Sequence, residues 1–259
     1  MSFGWNVLWS AVVVLVLVTA LFGFAASRRR FDFIDSFWGL GFAVIGVLTY
    51  ALSEHSTRAL VVAVLTAVWG VRLGWHIHRR NRHKPEDQRY VDMYRRARGN
   101  PLAKMYRVYL LQAGIMLLVS LPVQFAAYTT ADFGVLDYVG VAVWLVGFAF
   151  EAVGDQQLER FKADPANKGQ VMDRGLWRYT RHPNYFGDAC VWWGLFLFAC
   201  STPWGLVLAV SPLLMTFLLA KGSGKPLLEK DIAQRRPGYA DYVRRTSGFF
   251  PLPPKSPRT

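Results

Sequence analysis

Seven apolar runs, each near the length that crosses a bilayer, divide this chain, and nearly all of its positive charge falls in alternate gaps between them. A hydrocarbon core of about 30 Å takes roughly 20 apolar residues in a helix, fewer where flanking side chains snorkel. The runs are Trp5–Phe24, Phe37–Leu52, Leu60–Ile77, Val108–Tyr128, Val135–Phe150, Ala189–Cys200 and Trp204–Ala220. The sixth is short, and its helix is expected to start inside the polar stretch before it. The expected fold is therefore all-α, a polytopic membrane protein of about seven transmembrane helices. No positive residue precedes the first run and Arg28 to Arg30 follow it directly, which is not the flank pattern of a cleavable signal.

Of 30 Lys and Arg, 28 lie in the gaps after the first, third and fifth runs and in the tail. Arg58 stands alone in the other gaps, and Arg72 lies within a run. Alternation then expects the N-terminus outside and the C-terminus in the cytoplasm. The net charge of +13 follows from that topology and from attraction to anionic membrane lipids, without nucleic acid as a partner. With 53% apolar or aromatic residues, including 10 Trp and 18 Phe, disorder is excluded. Cys190 and Cys200, ten residues apart in one apolar run, would lie about 15 Å apart on a helix, too far to bridge.

Several charges sit where a membrane helix would not tolerate them without a reason. Arg72 must reach the interface or have a partner. Asp32 and Asp35 open the second run, either as helix caps or, for Asp35 beside Phe37 and Trp38, as a carboxyl whose neutral form could donate to a carbonyl. Glu151 and Asp155 share a helix face where the fifth run ends, which reads as a solvated helix end or as a pair with something cationic or hydrogen-bonding between them. His76, His78 and His83 point in different directions among Arg79, Arg80 and Arg82, so no metal site is expected.

Two long polar segments, His78–Arg107 and Glu151–Asp188, and a tail of about 39 residues are too large to be mere connectors. The densest polar stretch is Gly175-Leu-Trp-Arg-Tyr-Thr-Arg-His-Pro-Asn-Tyr-Phe-Gly-Asp188. It offers Arg178, Arg181 and His182 for phosphate, Asn184 and Tyr185 for hydrogen bonds, and Asp188 in the first turn of the helix that Pro183 introduces. A second cluster, Glu229, Asp231, Arg235, Arg236, Tyr239 and Tyr242, lies on the tail, where Tyr239 and Tyr242 would line one helical face. An amphipathic tail on the membrane surface is the plainer account of it. No GxGxxG occurs, so a soluble Rossmann site is not expected.

Arg-His-Pro-Asn-Tyr-Phe-Gly-Asp188, the Trp192-Trp193-Gly194 that follows, and the tail pattern Glu229…Gly238-Tyr-Ala-Asp-Tyr242…Pro251 resemble the steroid 5α-reductase family, and more narrowly its bacterial DUF1295 branch. The similarity extends to Asp35-x-x-Trp38-Gly39 and Arg72-Leu-Gly-x-His76-Ile. Sterol reductases share the His-Pro-Asn-Tyr-x-Gly stretch, and isoprenylcysteine carboxyl methyltransferases have a related Arg-His-Pro pattern. The resemblance implies a single integral-membrane reductase domain over 1–259. Helices of 1–150 would hold the substrate, 151–250 would bind NADPH, and a mobile Pro-rich end would occupy 251–259.

By position, the implied cofactor set is Asp155, Lys162, Arg178, Arg181, His182, Asn184, Tyr185, Asp188, Arg236, Tyr239 and Tyr242. Asp188 stands where Glu is usual. In the steroid reductases an acid on the second helix and a Tyr on the third hold the substrate carbonyl; here those positions carry Asp35 and Trp69. The implied activity is NADPH-dependent reduction of an activated C=C bond in a lipophilic substrate, with Asp35, poised by Arg72, polarising the carbonyl. Two alternatives stand beside it: a methyltransferase using S-adenosylmethionine, whose cationic sulfonium suits a basic site less well, and a non-catalytic scaffold or transporter, for which no inverted repeat is visible.

Overall fold

The computed structural model describes residues 1–222, 224, 229, 232 and 236–255. Asp231 and Arg235 of the tail cluster, and 256–259 of the Pro-rich end, lie outside the described residues. The described chain is helical: α1 Phe3–Arg28, α2 Phe33–Leu52, α3 Thr57–Asn81, α4 Gln88–Arg95, α5 Pro101–Ala126, α6 Val135–Ala163, α7 Pro183–Ala199, α8 Val210–Ala220 and α9 Tyr239–Arg245. Three 3-10 turns, Pro165–Asn167, Gly175–Arg178 and Pro203–Ala209, interrupt the connections.

Among the described residues, six helical stretches are long and apolar enough to cross a membrane: α1, α2, α3, α5, α6 and the continuous Pro203–Ala220. The sixth apolar run of the sequence lies on α7, which starts at Pro183, inside the preceding polar stretch. Its 17 residues span about 25 Å, so the count of helices with full spanning length is six rather than seven.

The packing of α1 is the reverse of a helix in water. It buries Asn6, Ser10, Val14 and Val18 at four-residue intervals, while Trp5, Leu8, Trp9, Val12, Leu15 and Val16 face outward. The buried Asn6 amide donates to Thr49 Oγ1 of α2 and to Gln124 Oε1 of α5. Polar groups inside and apolar groups outside is the arrangement a lipid solvent selects. The chain is an all-helical polytopic membrane protein.

It packs as two compact units, 1–137 with 198–211, and 138–197 with 212–259. In the first, α2 and α3 cross at their glycines. A Cβ on Gly39 would lie 2.9 Å from Gly74 N, and one on Gly74 would lie 3.0 Å from Ser36 O. In the second, α6 meets α7 through Gly147 against Gly187 and Gly140 against Gly194, with Gly154 against Pro183. Gly140, Gly147 and Gly154 recur every seven residues, two helical turns, so they share one face of α6.

Candidate functional site

In the first unit, a cluster forms where the chain enters α2. Asp32 occupies the cap position of α2, yet its carboxylate caps nothing. It accepts instead from Arg30 Nε at 2.7 Å and from Asp87 N at 3.2 Å. Asp35 is reached by two groups of α4. Tyr90 donates its hydroxyl to Oδ1 at 2.5 Å, and Arg89 donates to Oδ2 at 3.0 Å. Asp87 caps α4 by accepting from Arg89 N, and it accepts the Arg89 guanidinium as well.

Burial and the charge of Asp35 push the Tyr90 hydroxyl above its ordinary range, so it stays protonated. The guanidinium seen on Asp35 is thus that of Arg89, while Arg72 is half-buried on α3. Trp69 is buried against Phe42 with ring centroids 5.7 Å apart. The hydroxyl beside the second-helix acid comes from Tyr90, fifty-five residues away in sequence.

The remaining sequence-predicted residues belong to the second unit, which brings most of them together in three groups. Asn184, in the first turn of α7, donates to Asp155 Oδ1 of α6 at 3.1 Å. Asn184 Oδ1 is buried with no hydrogen-bond partner among the described residues. Glu151 is buried too, so the end of the fifth apolar run is not a solvated helix end. The helix continues twelve residues beyond it to Ala163. Asp188 is buried in the second turn of α7 rather than the first, because the helix begins at Pro183 itself.

The second group is a cavity of 310 Å³ at the C-terminal end of α6, lined by Lys162, Lys168 and Arg236 among others. Asp164 also faces it, but its carboxylate is used within the turn, accepting from Ala166 N and Asn167 Nδ2. Arg236 is steadied by donation to Gln170 O at 2.6 Å. Three cations around a small cavity make it electropositive, a setting for phosphate.

The third group joins the Arg-His-Pro stretch to the tail. Arg181 donates through Nη1 to the carbonyls of Val243 and Thr246, at 3.1 and 2.8 Å, and through Nε to Glu229 Oε1 at 2.9 Å. His182 Nε2 lies 2.9 Å from the same Glu229 oxygen, and the Tyr185 ring stacks on the imidazole. Burial works to raise the Glu229 pKa, but hydrogen bonds from His182 and Arg181, with their charge, outweigh it and hold the carboxyl down at about 2.

Burial, then the charge of Glu229, pushes Tyr239 up to about 12. Tyr242 donates to Trp177 O at 2.5 Å, and Thr180 pairs with Ser247 in a short parallel bridge. Tyr239 and Tyr242 do share a face of α9, buried rather than on a membrane surface. Arg178 is exposed, at the end of the 3-10 turn Gly175–Arg178, as is Lys162 at the end of α6.

Sequence reasoning did not single out Arg89, Tyr90 or Lys168. The signal for Tyr90 is the i, i+4 pair Tyr90 and Tyr94 in an otherwise polar segment, an apolar face on a short helix. For Lys168 there is none beyond its charge.

Residues 21–246 match the family described as "Protein of unknown function (DUF1295)". An uncharacterized protein of Schizosaccharomyces pombe is 25% identical over 269 residues, covering 91% of this chain and 77% of the yeast protein. No solved structure matches.

Proposed function

We propose that this chain, which belongs to the DUF1295 family, is a membrane reductase that uses NADPH to saturate an activated C=C bond in a lipophilic substrate. The observation that carries the reading is the Tyr90 hydroxyl on Asp35. In the steroid 5α-reductases, which this chain resembles, an acid and a tyrosine hold the substrate carbonyl. Here the same pair of groups is present, although the third-helix position carries Trp69.

In the balanced reaction a hydride adds to the β-carbon of the enone, the π electrons move to the carbonyl oxygen, and a proton from water ends on the α-carbon. NADPH supplies the hydride and leaves as NADP+. The chain's part is to hold the carbonyl oxygen as it gains charge. Tyr90 remains a donor because its proton is held tightly, and Asp35 in its neutral form would pass a hydrogen bond to the Tyr90 oxygen. Each donor aimed at a developing oxyanion is typically worth about 3–4 kcal/mol. Arg89 must give way for Asp35 to take a proton, and its side chain, 47% exposed, has room to do so.

The donor set of the second unit suits the cofactor. Lys162, Lys168 and Arg236 fit a phosphate group, and the buried Asn184 Oδ1 offers an acceptor to a carboxamide N–H. The segregation of positive charge supports an N-terminus outside and a cytoplasmic C-terminus, with α7 crossing despite its length.

One observation favours a second reading, a methyltransferase using S-adenosylmethionine: Arg181 is engaged by Glu229 and by tail carbonyls, which removes one cation from the phosphate argument. Thermal denaturation of the detergent-purified protein with NADPH, NADH and S-adenosylmethionine side by side decides between them. A ligand at a hundred times its dissociation constant adds about 2.7 kcal/mol of stability. Selective stabilisation by NADPH is expected; stabilisation by S-adenosylmethionine alone would overturn the reductase.

A further inference from the structure

Arg181 and His182 converge on one point. Nε of Arg181 and Nε2 of His182 each lie 2.9 Å from Oε1 of Glu229, and Nη2 of Arg181 reaches Oε2 at 3.4 Å. Neither donor depends on Glu229 for its position. Arg181 is anchored through Nη1 by the carbonyls of Val243 and Thr246. His182 is fixed at the start of α7, where its carbonyl accepts from Phe186 N, and by the Tyr185 ring lying 8° from parallel to it.

Two cationic or polar donors, each with its own anchor and both aimed at a single oxygen, form a chelating seat for an anion. The N-terminal end of the 17-residue α7 adds its own positive potential there. The oxygens of a phosphate accept from guanidinium and imidazole just as a carboxylate does.

We infer that Glu229 is an internal stand-in for a ligand phosphate, and that the Arg181–His182 seat takes a phosphoryl or pyrophosphoryl group when the Glu229 carboxylate leaves it. Ligand anion and Glu229 compete for the same donors, so the Glu229 carboxylate leaves the seat on binding while the Val243 and Thr246 carbonyls keep their hold on Arg181. The inference rests on the reductase reading only in naming NADPH as the source of the phosphate; a free phosphate has the same chemistry. Affinity for the anion is reduced by the fraction of molecules in which Glu229 holds the seat, and weakening that occupant restores it.

The experiment uses the full chain in detergent at low chloride, with inorganic pyrophosphate as the probe and thermal denaturation as the readout. Glu229→Gln keeps the shape of the side chain and one acceptor oxygen and removes its charge. It is expected to bind pyrophosphate about tenfold tighter than the unaltered protein. Adding His182→Gln is expected to cancel that gain. Glu229→Asp, which keeps the charge on a shorter arm, is expected to fall between and serves if the Gln variant does not fold.

Equal affinity in the unaltered protein and Glu229→Gln overturns the inference, as does a gain that survives His182→Gln. NADPH titrated on the same proteins separates the two claims. Stabilisation by NADPH without any pyrophosphate gain in Glu229→Gln sinks the seat and spares the reductase; a pyrophosphate gain without an NADPH response does the reverse.

Discussion

Arg58 and Asp137 form a buried, two-pronged ion pair, with Nε to Oδ1 at 2.7 Å and Nη2 to Oδ2 at 2.9 Å and side chains only 2% and 1% exposed. The other guanidinium N–H groups donate to Thr129 Oγ1, Ala131 O and Asp132 O, so all five are used, and Gly134 N completes the carboxylate. The one basic residue in the remaining gaps is therefore neutralised where it stands, and it does not weaken the charge segregation. Arg58→Ala leaves the carboxylate buried and unpaired, a loss of about 3–5 kcal/mol. The double variant Arg58→Met/Asp137→Leu should lose less than either single change, and thermal denaturation in detergent reads the difference.

The crossing of α6 and α7 gives a second prediction. A Cβ on Gly187 would sit 2.5 Å from Glu151 N and press on Gly147 O, so the helices must separate to accept it. Gly187→Ala should cost about 1–3 kcal/mol or more, and Asn184 should draw away from Asp155 with it. Gly114 of α5 has nothing within 4 Å of its would-be Cβ, and Gly114→Ala should leave stability unchanged or slightly raised. Equal melting temperatures for the two variants would contradict this geometry.

These relationships divide by how far apart in sequence their partners lie. Span positions are legible because apolar length is a local property. The start of α7 at Pro183 is legible for the same reason, since proline suits the first helical position. The heptad spacing of Gly140, Gly147 and Gly154 was equally readable as a contact face. The partners of the charged groups were not. Asp35 finds its hydroxyl on α4, in a segment whose local pattern says only short and polar. Arg181 reads locally as a phosphate ligand, yet three of its acceptors arrive from 48 to 65 residues further along. A side chain's type sets what it can bind, and only the tertiary arrangement sets what it does bind.

The Tyr90–Asp35 pair predicts a separation of binding from chemistry. Tyr90→Phe removes the donor to the substrate oxygen and should lower kcat by about 10²–10³. Asp35→Ala should act in the same direction. Neither residue belongs to the unit that holds Lys162, Lys168 and Arg236, so stabilisation by NADPH should be retained in both variants. The check is NADPH oxidation against a panel of enone lipids, run beside the melting curves. Parallel loss of cofactor binding and turnover would refute the division of roles.

The Glu229 carboxylate makes stability depend on acid in a stated direction. Its ordinary pKa is 4.5, and in the folded chain it is held at about 2. A group whose pKa is lower folded than unfolded binds more protons in the unfolded state, so its contribution is complete above 4.5 and is lost as pH falls towards 2. Protonation removes the charge that Arg181 and His182 share, and the tail loses that tie to the start of α7. The melting temperature should therefore fall through that window, and Glu229→Gln, which has no charge to lose, should fall less steeply. Because Gln already lacks the ion pair, the two curves should converge at the acid end and differ most near neutrality. Curves that stay parallel from neutral pH down to about 2 would mean that Glu229 is not the group whose proton uptake loosens the tail.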